Sequence, residues 1–182
     1  MRITTLVRYL LLIVGLACLG FYGYTRWELQ ESQADADWSF EHVPKVRNAA
    51  PLQQGAVVGR ISIPKLQLTS MVREGVDAAT LKLAVGHIPQ TPLPGQPGNV
   101  GIAAHRDTFF RHLGELKTGD EIGFSTMDGD FTYEIESLKI VEPRDVGVLA
   151  SSREKVLTMV TCYPFYYIGN APKRFIVRAK QK

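Results

Sequence analysis

Cysteine is scarce in this chain of 182 residues, which contains only Cys18 and Cys162. Two thiols are too few for a cysteine-rich zinc module or for a disulfide-dense miniprotein. Excess charge is also scarce, since 21 basic and 18 acidic residues leave a formal net charge of +3. Proteins that bind nucleic acid cluster Lys and Arg on one face, so we expect no nucleic-acid partner from this small surplus. An apolar fraction of 45% instead predicts a chain that folds.

One long apolar run is present at residues 9–24, which are sixteen residues without a charge. As a helix the run would measure about 24 Å, a little short of the roughly 30 Å hydrocarbon core of a bilayer. Flanking tyrosines and Trp27 can act as interfacial anchors that close the gap. The run therefore directs the chain to a membrane.

A cleaved signal peptide and an uncleaved anchor both fit this run, and a lipoprotein-type cut before Cys18 is a further alternative. We favour the anchor, because no small-x-small cleavage site follows the run directly. Arg2 and Arg8 precede the run and outweigh Arg26 after it, which predicts a cytoplasmic N-terminus and an extracytoplasmic remainder. The expected location is therefore the cell membrane, with a single pass.

Four parts are expected: a cytoplasmic N-terminus at residues 1–8, a transmembrane anchor at 9–24, a stalk at 25–56 and one domain at 57–182. The stalk carries three basic and five acidic residues and no sustained apolar period. The membrane helix can continue into its first part, but from residue 38 to residue 55 we expect no structure. The last 126 residues suffice for one compact core.

Short apolar runs separated by Gly and Pro predict strands in that domain. These runs lie at residues 58–63, 100–104, 121–124, 131–141, 156–161 and 175–179. Asp128-Gly129 predicts a hairpin turn, and a switch of the apolar positions near Ser137 predicts a bulge. One short helix is expected at residues 77–85, capped by Asp77 and ended by Gly86. This arrangement indicates an all-β barrel or sandwich.

Cys162 follows one of these strands and directly precedes Tyr163-Pro164. A small buried hydrophobic residue is the commoner role for a single free cysteine. In an extracytoplasmic domain, however, structural thiols tend to pair, and Cys162 has no partner outside the apolar run. We therefore predict that Cys162 is a reactive thiol.

Arg174 opens the strand that follows the loop after Cys162. If the two strands are neighbours, its guanidinium lies beside the thiol and can favour the thiolate or hold an oxyanion. A solvated charge at the edge of the sheet is the alternative. Along this strand Arg174, Ile176 and Arg178 are expected to share one face.

A cysteine nucleophile also needs an acid that protonates the leaving amine. His105 is the best candidate, because it follows a strand of small residues that leaves room for a cleft. His87 is expected to form a wall or a support of the site, and the role of the acid is its alternative. His42, in the stalk, and His112, in an aromatic turn, are expected to be structural or solvated.

The segment TMVTC at residues 158–162 resembles the Thr-Leu-x-Thr-Cys motif of sortases, the membrane-anchored cysteine transpeptidases of bacterial envelopes. The segment AAH at residues 103–105 resembles the Ala-Gly-His of that family, and Arg174 stands at the distance from Cys162 where the family has its arginine. Four longer strings are most similar to class D sortases: GHIP at 86–89, PGQPGNV at 94–100, HRDTFF at 105–110 and CYPF at 162–165.

The resemblance implies a closed eight-stranded β-barrel with one or two short helices, behind an N-terminal transmembrane helix. It implies that Cys162 is the nucleophile, His105 the acid and Arg174 the stabiliser of the oxyanion. Substrate-binding roles are expected for Thr161, which is otherwise an ordinary strand residue, and for His87. The implied substrates are proteins with a Leu-Pro-x-Thr sorting signal, and the acceptor is an amine of the cell envelope such as a peptidoglycan precursor. No metal or other cofactor is expected.

Three other interpretations remain. L,D-transpeptidases also use one Cys and one His, but Thr161 and Tyr163-Pro164 stand where that family has Gly before its Cys and Arg after it. A membrane-tethered β-domain could bind envelope partners with an inert Cys162. A sortase-like hydrolase could release the cleaved substrate to water.

Overall fold

The computed structural model describes residues 2–42, 52–167 and 169–182, and it begins with one long helix, α1 (Arg2–His42). By length and composition, its part Leu6–Glu31 could cross a membrane. At about 1.5 Å per residue the whole helix measures about 60 Å, roughly twice the hydrocarbon core of a bilayer. The helix therefore extends past the apolar run. The expectation of no structure from residue 38 onward was wrong for residues 38–42, and residues 43–51 lie outside the described residues.

Eight strands form a closed barrel in the order β1-β2-β3-β4-β7-β8-β6-β5, with β1 paired to β5. The strands are β1 (Val57–Ile63), β2 (Leu68–Glu74), β3 (Val85–His87), β4 (Gly98–Ala103), β5 (Glu121–Thr126), β6 (Gly129–Val141), β7 (Lys155–Tyr163) and β8 (Lys173–Gln181). A short helix, α2 (Ala78–Leu83), precedes β3, and 3₁₀ turns lie at Pro64–Leu66, Leu113–Glu115 and Val146–Leu149. The predicted eight-stranded barrel is confirmed.

Two details of strand pairing follow from the local sequence. Thr126 pairs with Gly129, which leaves Met127 and Asp128 as a two-residue turn between β5 and β6. The register of β6 against β8 shifts between Ile135 and Ser137. The predicted bulge and hairpin are therefore confirmed, but the turn lies one position earlier than the predicted Asp128-Gly129.

Two strands were missed, β2 and β3. Asp77 caps α2 as predicted, since its carboxylate accepts hydrogen bonds from the N–H groups of Ala79 and Thr80. The predicted end of this helix was wrong, because α2 ends at Leu83 and the next residues form β3. Strand β3 has three residues and pairs with β2 on one side and β4 on the other, so long-range ladders define it rather than a local pattern.

The two faces of β8 differ in their surroundings. Phe175, Val177 and Ala179 point into the barrel and belong to its apolar core. Arg174 and the residues two and four positions later point to the outer face, as the alternation along a strand predicts. The outer face of β8 therefore carries Arg174, Ile176 and Arg178, of which Arg174 is the cross-strand partner of Cys162.

Helix α1 also contacts the barrel. The side-chain oxygen of Gln33 accepts a hydrogen bond of 2.9 Å from the backbone N–H of Met71, and its Nε2 donates to the carbonyl of Leu83. Glu28 forms an ion pair of 2.8 Å with Lys82. The first part of the expected stalk is therefore a helix that packs against β2 and α2.

Candidate active site

Cys162 and Arg174 lie directly opposite each other in the antiparallel ladder of β7 and β8. Residues that face each other across such a ladder carry their side chains on the same face of the sheet. Both residues are partly exposed. The thiol and the guanidinium are therefore neighbours on the outer face of the barrel.

His105 reaches the same level through a parallel pair of strands. Ala103 of β4 pairs with Val160 of β7, and the N–H of Ala104 donates a hydrogen bond of 3.3 Å to the Val160 carbonyl. Strand β4 ends at Ala103, so His105 follows two residues later, near the end of β7 that carries Cys162.

His105, Cys162 and Arg174 all line one open cleft of about 320 Å³. Its lining consists of His105, Arg106, Asp107, Cys162, Gly169, Asn170, Ala171 and Arg174. A thiol, an imidazole and a guanidinium at one cleft are the groups that acyl transfer by a cysteine nucleophile requires. The fold therefore brings three of the predicted site residues together at one cleft.

The orientation of Arg174 is set by the backbone beside it. Its Nη1 donates hydrogen bonds to the carbonyls of Ala171, at 3.3 Å, and Lys173, at 3.0 Å. A guanidinium has five N–H donors, and among the described residues only Nη1 of Arg174 is hydrogen-bonded, so Nη1 anchors the group.

Thr161 faces the opposite side of β7 from Cys162 and is buried. Its hydroxyl donates a hydrogen bond of 2.8 Å to the carbonyl of Ala104. Thr161 is not among the residues that line the cleft. Its hydrogen bond connects β7, which carries Cys162, to Ala104, the residue before His105.

His87 lies in β3 and is buried outside the cleft. Its Nδ1 is 2.6 Å from Oε2 of Glu74, and its Nε2 is 3.1 Å from the Pro92 carbonyl and 3.0 Å from Oγ1 of Thr91. A carbonyl only accepts, so Nε2 is the donor in the contact with Pro92, and the Nδ1 contact ties the imidazole to the Glu74 carboxylate. The structure does not bring His87 into the cleft, where a substrate contact was expected.

Arg106 and Asp107 line the cleft and were assigned no role from the sequence. Arg106 extends to the loop after β7, where it donates hydrogen bonds to three carbonyls. In the sequence, the signal for a place near the site was that Arg106 directly follows His105. The loop acceptors lie about sixty positions further along the chain, so the sequence did not connect them with Arg106.

Comparison with known proteins identifies the family. Residues 61–182 match the model of the sortase domain. The chain is 41% identical over 130 residues to sortase D of Bacillus subtilis, covering 71% of this chain and 66% of that protein. It therefore spans slightly less than two thirds of the length of that relative.

Solved structures agree with this assignment. A sortase D5 transpeptidase of Clostridium perfringens superposes with a TM-score of 0.67 at 28% identity, covering 84% of this chain and 97% of that one. A sortase C of Clostridium perfringens, solved with the C-terminal cell wall sorting motif, superposes with a TM-score of 0.66 at 25% identity, covering 85% and 87% of the two chains. The resemblance to class D motifs agrees with the match to sortase D. The chain belongs to the sortase family, whose members are cysteine transpeptidases.

Proposed function

We propose that this protein is a membrane-anchored cysteine transpeptidase that cleaves a Leu-Pro-x-Thr sorting signal after Thr and transfers the acyl group to an amine of the cell envelope. The observation that carries the proposal is the shared cleft of Cys162, His105 and Arg174. Membership of the sortase family supports the reaction class. The sorting motif bound to the related sortase C supports the substrate class.

The first half-reaction forms a thioester. The Cys162 thiolate attacks the Thr carbonyl, and the resulting oxyanion is stabilised by N–H groups of Arg174 that do not bond to the loop carbonyls. The C–N bond then breaks, and the His105 imidazolium gives its proton to the leaving amine. The products are an acyl thioester on Cys162, a free amine and a neutral imidazole.

The second half-reaction resolves the thioester. The acceptor amine attacks the thioester carbonyl, the neutral His105 takes its proton, and the C–S bond breaks to regenerate the thiolate. A new amide bond therefore replaces the one that was cleaved. Water in place of the amine would make the enzyme a hydrolase, so the acceptor decides between the two outcomes.

The N-terminal helix supports a location at the membrane. Its candidate span Leu6–Glu31 would hold the barrel beside the lipid surface, and Arg2 and Arg8 favour a cytoplasmic N-terminus. The cleft then faces the extracytoplasmic side, where sorting-signal proteins and envelope precursors meet. A peptidoglycan precursor with a free amine is the acceptor class that we assign.

The test uses the full chain in detergent micelles, a library of Leu-Pro-x-Thr peptides and a set of small amines, with mass spectrometry of the products. We expect cleavage after Thr and transfer to an added amine, and no product from Cys162→Ala. Full turnover by Cys162→Ala would show that the mechanism is wrong. Cleavage without transfer to any amine would favour the hydrolase.

Iodoacetamide labelling near neutral pH separates the enzyme from a non-catalytic binding domain. A nucleophilic Cys162 should be alkylated in a folded chain, and His105→Ala should change the rate. A thiol with no catalytic role should react at the same rate with and without His105. The second thiol, Cys18, is removed as Cys18→Ala so that one site is followed.

A further inference from the structure

The β7–β8 loop is described at residues 164–167 and 169–172, which belong to no strand, and residues 169–171 line the cleft. Phe165 anchors its start by packing against Tyr163 and Phe175. Beyond this point Tyr166 and Tyr167 are exposed. Exposed side chains bury little area, so backbone hydrogen bonds contribute more than side-chain burial to the placement of these two residues.

Arg106 supplies those contacts. Its Nη1 donates a hydrogen bond of 2.8 Å to the Pro164 carbonyl, and its Nη2 donates to the carbonyls of Tyr167, at 2.8 Å, and Gly169, at 2.9 Å. The guanidinium also lies 5.8 Å from the centre of the Tyr167 ring. One cation thus gathers three carbonyls spread along the loop.

A planar guanidinium suits this arrangement because its donors point in fixed, divergent directions. A lysine ammonium carries all its donors on one nitrogen. It therefore cannot bond at the same time to carbonyls that the two terminal nitrogens of a guanidinium reach separately. The contact therefore depends on the shape of Arg106 as well as on its charge.

The same loop segment also holds Arg174. Gly169 accepts from Arg106, and Ala171, two residues later, accepts from Nη1 of Arg174 at 3.3 Å. Asn170, between them, lines the cleft. Arg106 and Arg174 therefore both donate hydrogen bonds to the short segment 169–171, which lines the cleft beside Cys162.

We infer that Arg106 is a positioning residue, which holds the described residues of the β7–β8 loop so that Asn170 and Ala171 bound the cleft and Arg174 keeps its orientation. Arg106 acts through the loop and not on the reacting atoms. The kinetic consequence rests on the proposed function, whereas the structural consequence rests on the hydrogen bonds alone.

The structural consequence is tested by chymotrypsin, which cuts after aromatic residues such as Tyr166 and Tyr167. The full chain in micelles is compared with Arg106→Lys, Arg106→Ala and the control Arg111→Ala, which removes an exposed cation from the same segment. We expect several-fold faster loop cleavage, relative to cleavage elsewhere, in both Arg106 variants, because the free energy of local opening falls. The Arg111 variant should match the wild type. Unchanged loop cleavage in the Arg106 variants would overturn the inference.

The kinetic consequence is tested with the sorting peptide. A small displacement of a positioning group can lower turnover by roughly a hundredfold, so kcat/KM should fall by roughly tenfold to a hundredfold in both Arg106 variants. It should be unchanged in Arg111→Ala. A looser loop with full kcat/KM would also overturn the inference, since Arg106 would then be structural only. If the wild type cleaves no sorting peptide, the proposed function fails, and loop cleavage alone decides whether Arg106 holds the loop.

Discussion

Cys162 and Arg174 are cross-strand partners in the ladder of β7 and β8, and the backbone hydrogen bonds of that ladder hold them side by side. Their proximity therefore depends on register and not on a flexible loop. A shift of one residue in this register would move one of the two to the barrel interior. The buried alternation of Phe175, Val177 and Ala179 opposes such a shift, because it would expose three core residues.

Arg174→Lys is expected to lower kcat/KM by about 10²- to 10³-fold, since that is the typical cost of removing one donor to an oxyanion. Lysine keeps the charge but lacks the separate guanidinium nitrogens that can donate to the loop carbonyls and to the substrate at the same time. Arg178→Ala is the matched control, because Arg178 shares the face of Arg174 but pairs with Glu136 at 2.5 Å. The measurement is peptide turnover, and full activity of Arg174→Lys would contradict a role for this residue.

Thr161→Val is expected to lower the free energy of unfolding by about 1–3 kcal/mol, because it leaves the buried Ala104 carbonyl without its donor. Turnover should fall as well, since Ala104 precedes His105. Thr161→Ser keeps the hydroxyl and should retain the turnover. Urea unfolding and peptide turnover are measured together. Equal stability of the Val and Ser variants would argue against a structural role of this hydrogen bond.

Gln33→Ala is expected to loosen the contact between α1 and the barrel. The variant removes the acceptor of the Met71 N–H and the donor to the Leu83 carbonyl. Amide exchange at Met71 should then become faster in the full chain. Gln30→Ala is the control, because Gln30 is on α1 and exposed. Equal exchange in both variants would show that Gln33 does not dock the helix.

Asp77 is expected to make stability depend on pH. Hydrogen bonds from the Thr80 and Gln54 side chains, followed by the Thr80 backbone N–H, hold the pKa of Asp77 well below its ordinary value of 3.8. A group whose pKa is lowered by folding stabilises the fold above the unfolded pKa, and this contribution is lost as pH falls through the folded pKa. The advantage of the wild type over Asp77→Asn should therefore be constant at neutral pH and shrink in acid below 3.8.

Thermal unfolding between neutral and acidic pH measures this difference. Thr80→Val removes the largest cause of the lowered pKa, so the pKa of Asp77 in the folded state should rise toward its ordinary value and less stability should be lost in acid. Wild-type and Asp77→Asn curves that stay parallel in acid would contradict this prediction.

Local patterns in the sequence predicted most of the strands but missed β2 and β3. The bulge near Ser137 was predictable, because the apolar positions of β6 change their alternation there. Strand β3 was not predictable, because three residues carry no period of their own and acquire their conformation from ladders on both sides. His87 was expected as a wall or support of the site with a substrate contact, yet it is buried outside the cleft and bonded to Glu74.

The sequence by itself determined that a single thiol follows a strand, that a small-residue strand ends at a histidine, and that a long apolar run lies near the N-terminus. These are properties of adjacent residues, so they can be read without coordinates. Only the tertiary structure decided that Arg174 faces Cys162, that Arg106 holds the loop after β7 and that α1 packs on the barrel. Each of these depends on hydrogen bonds between residues far apart in the chain, and barrel closure selects such pairs from many that the sequence allows.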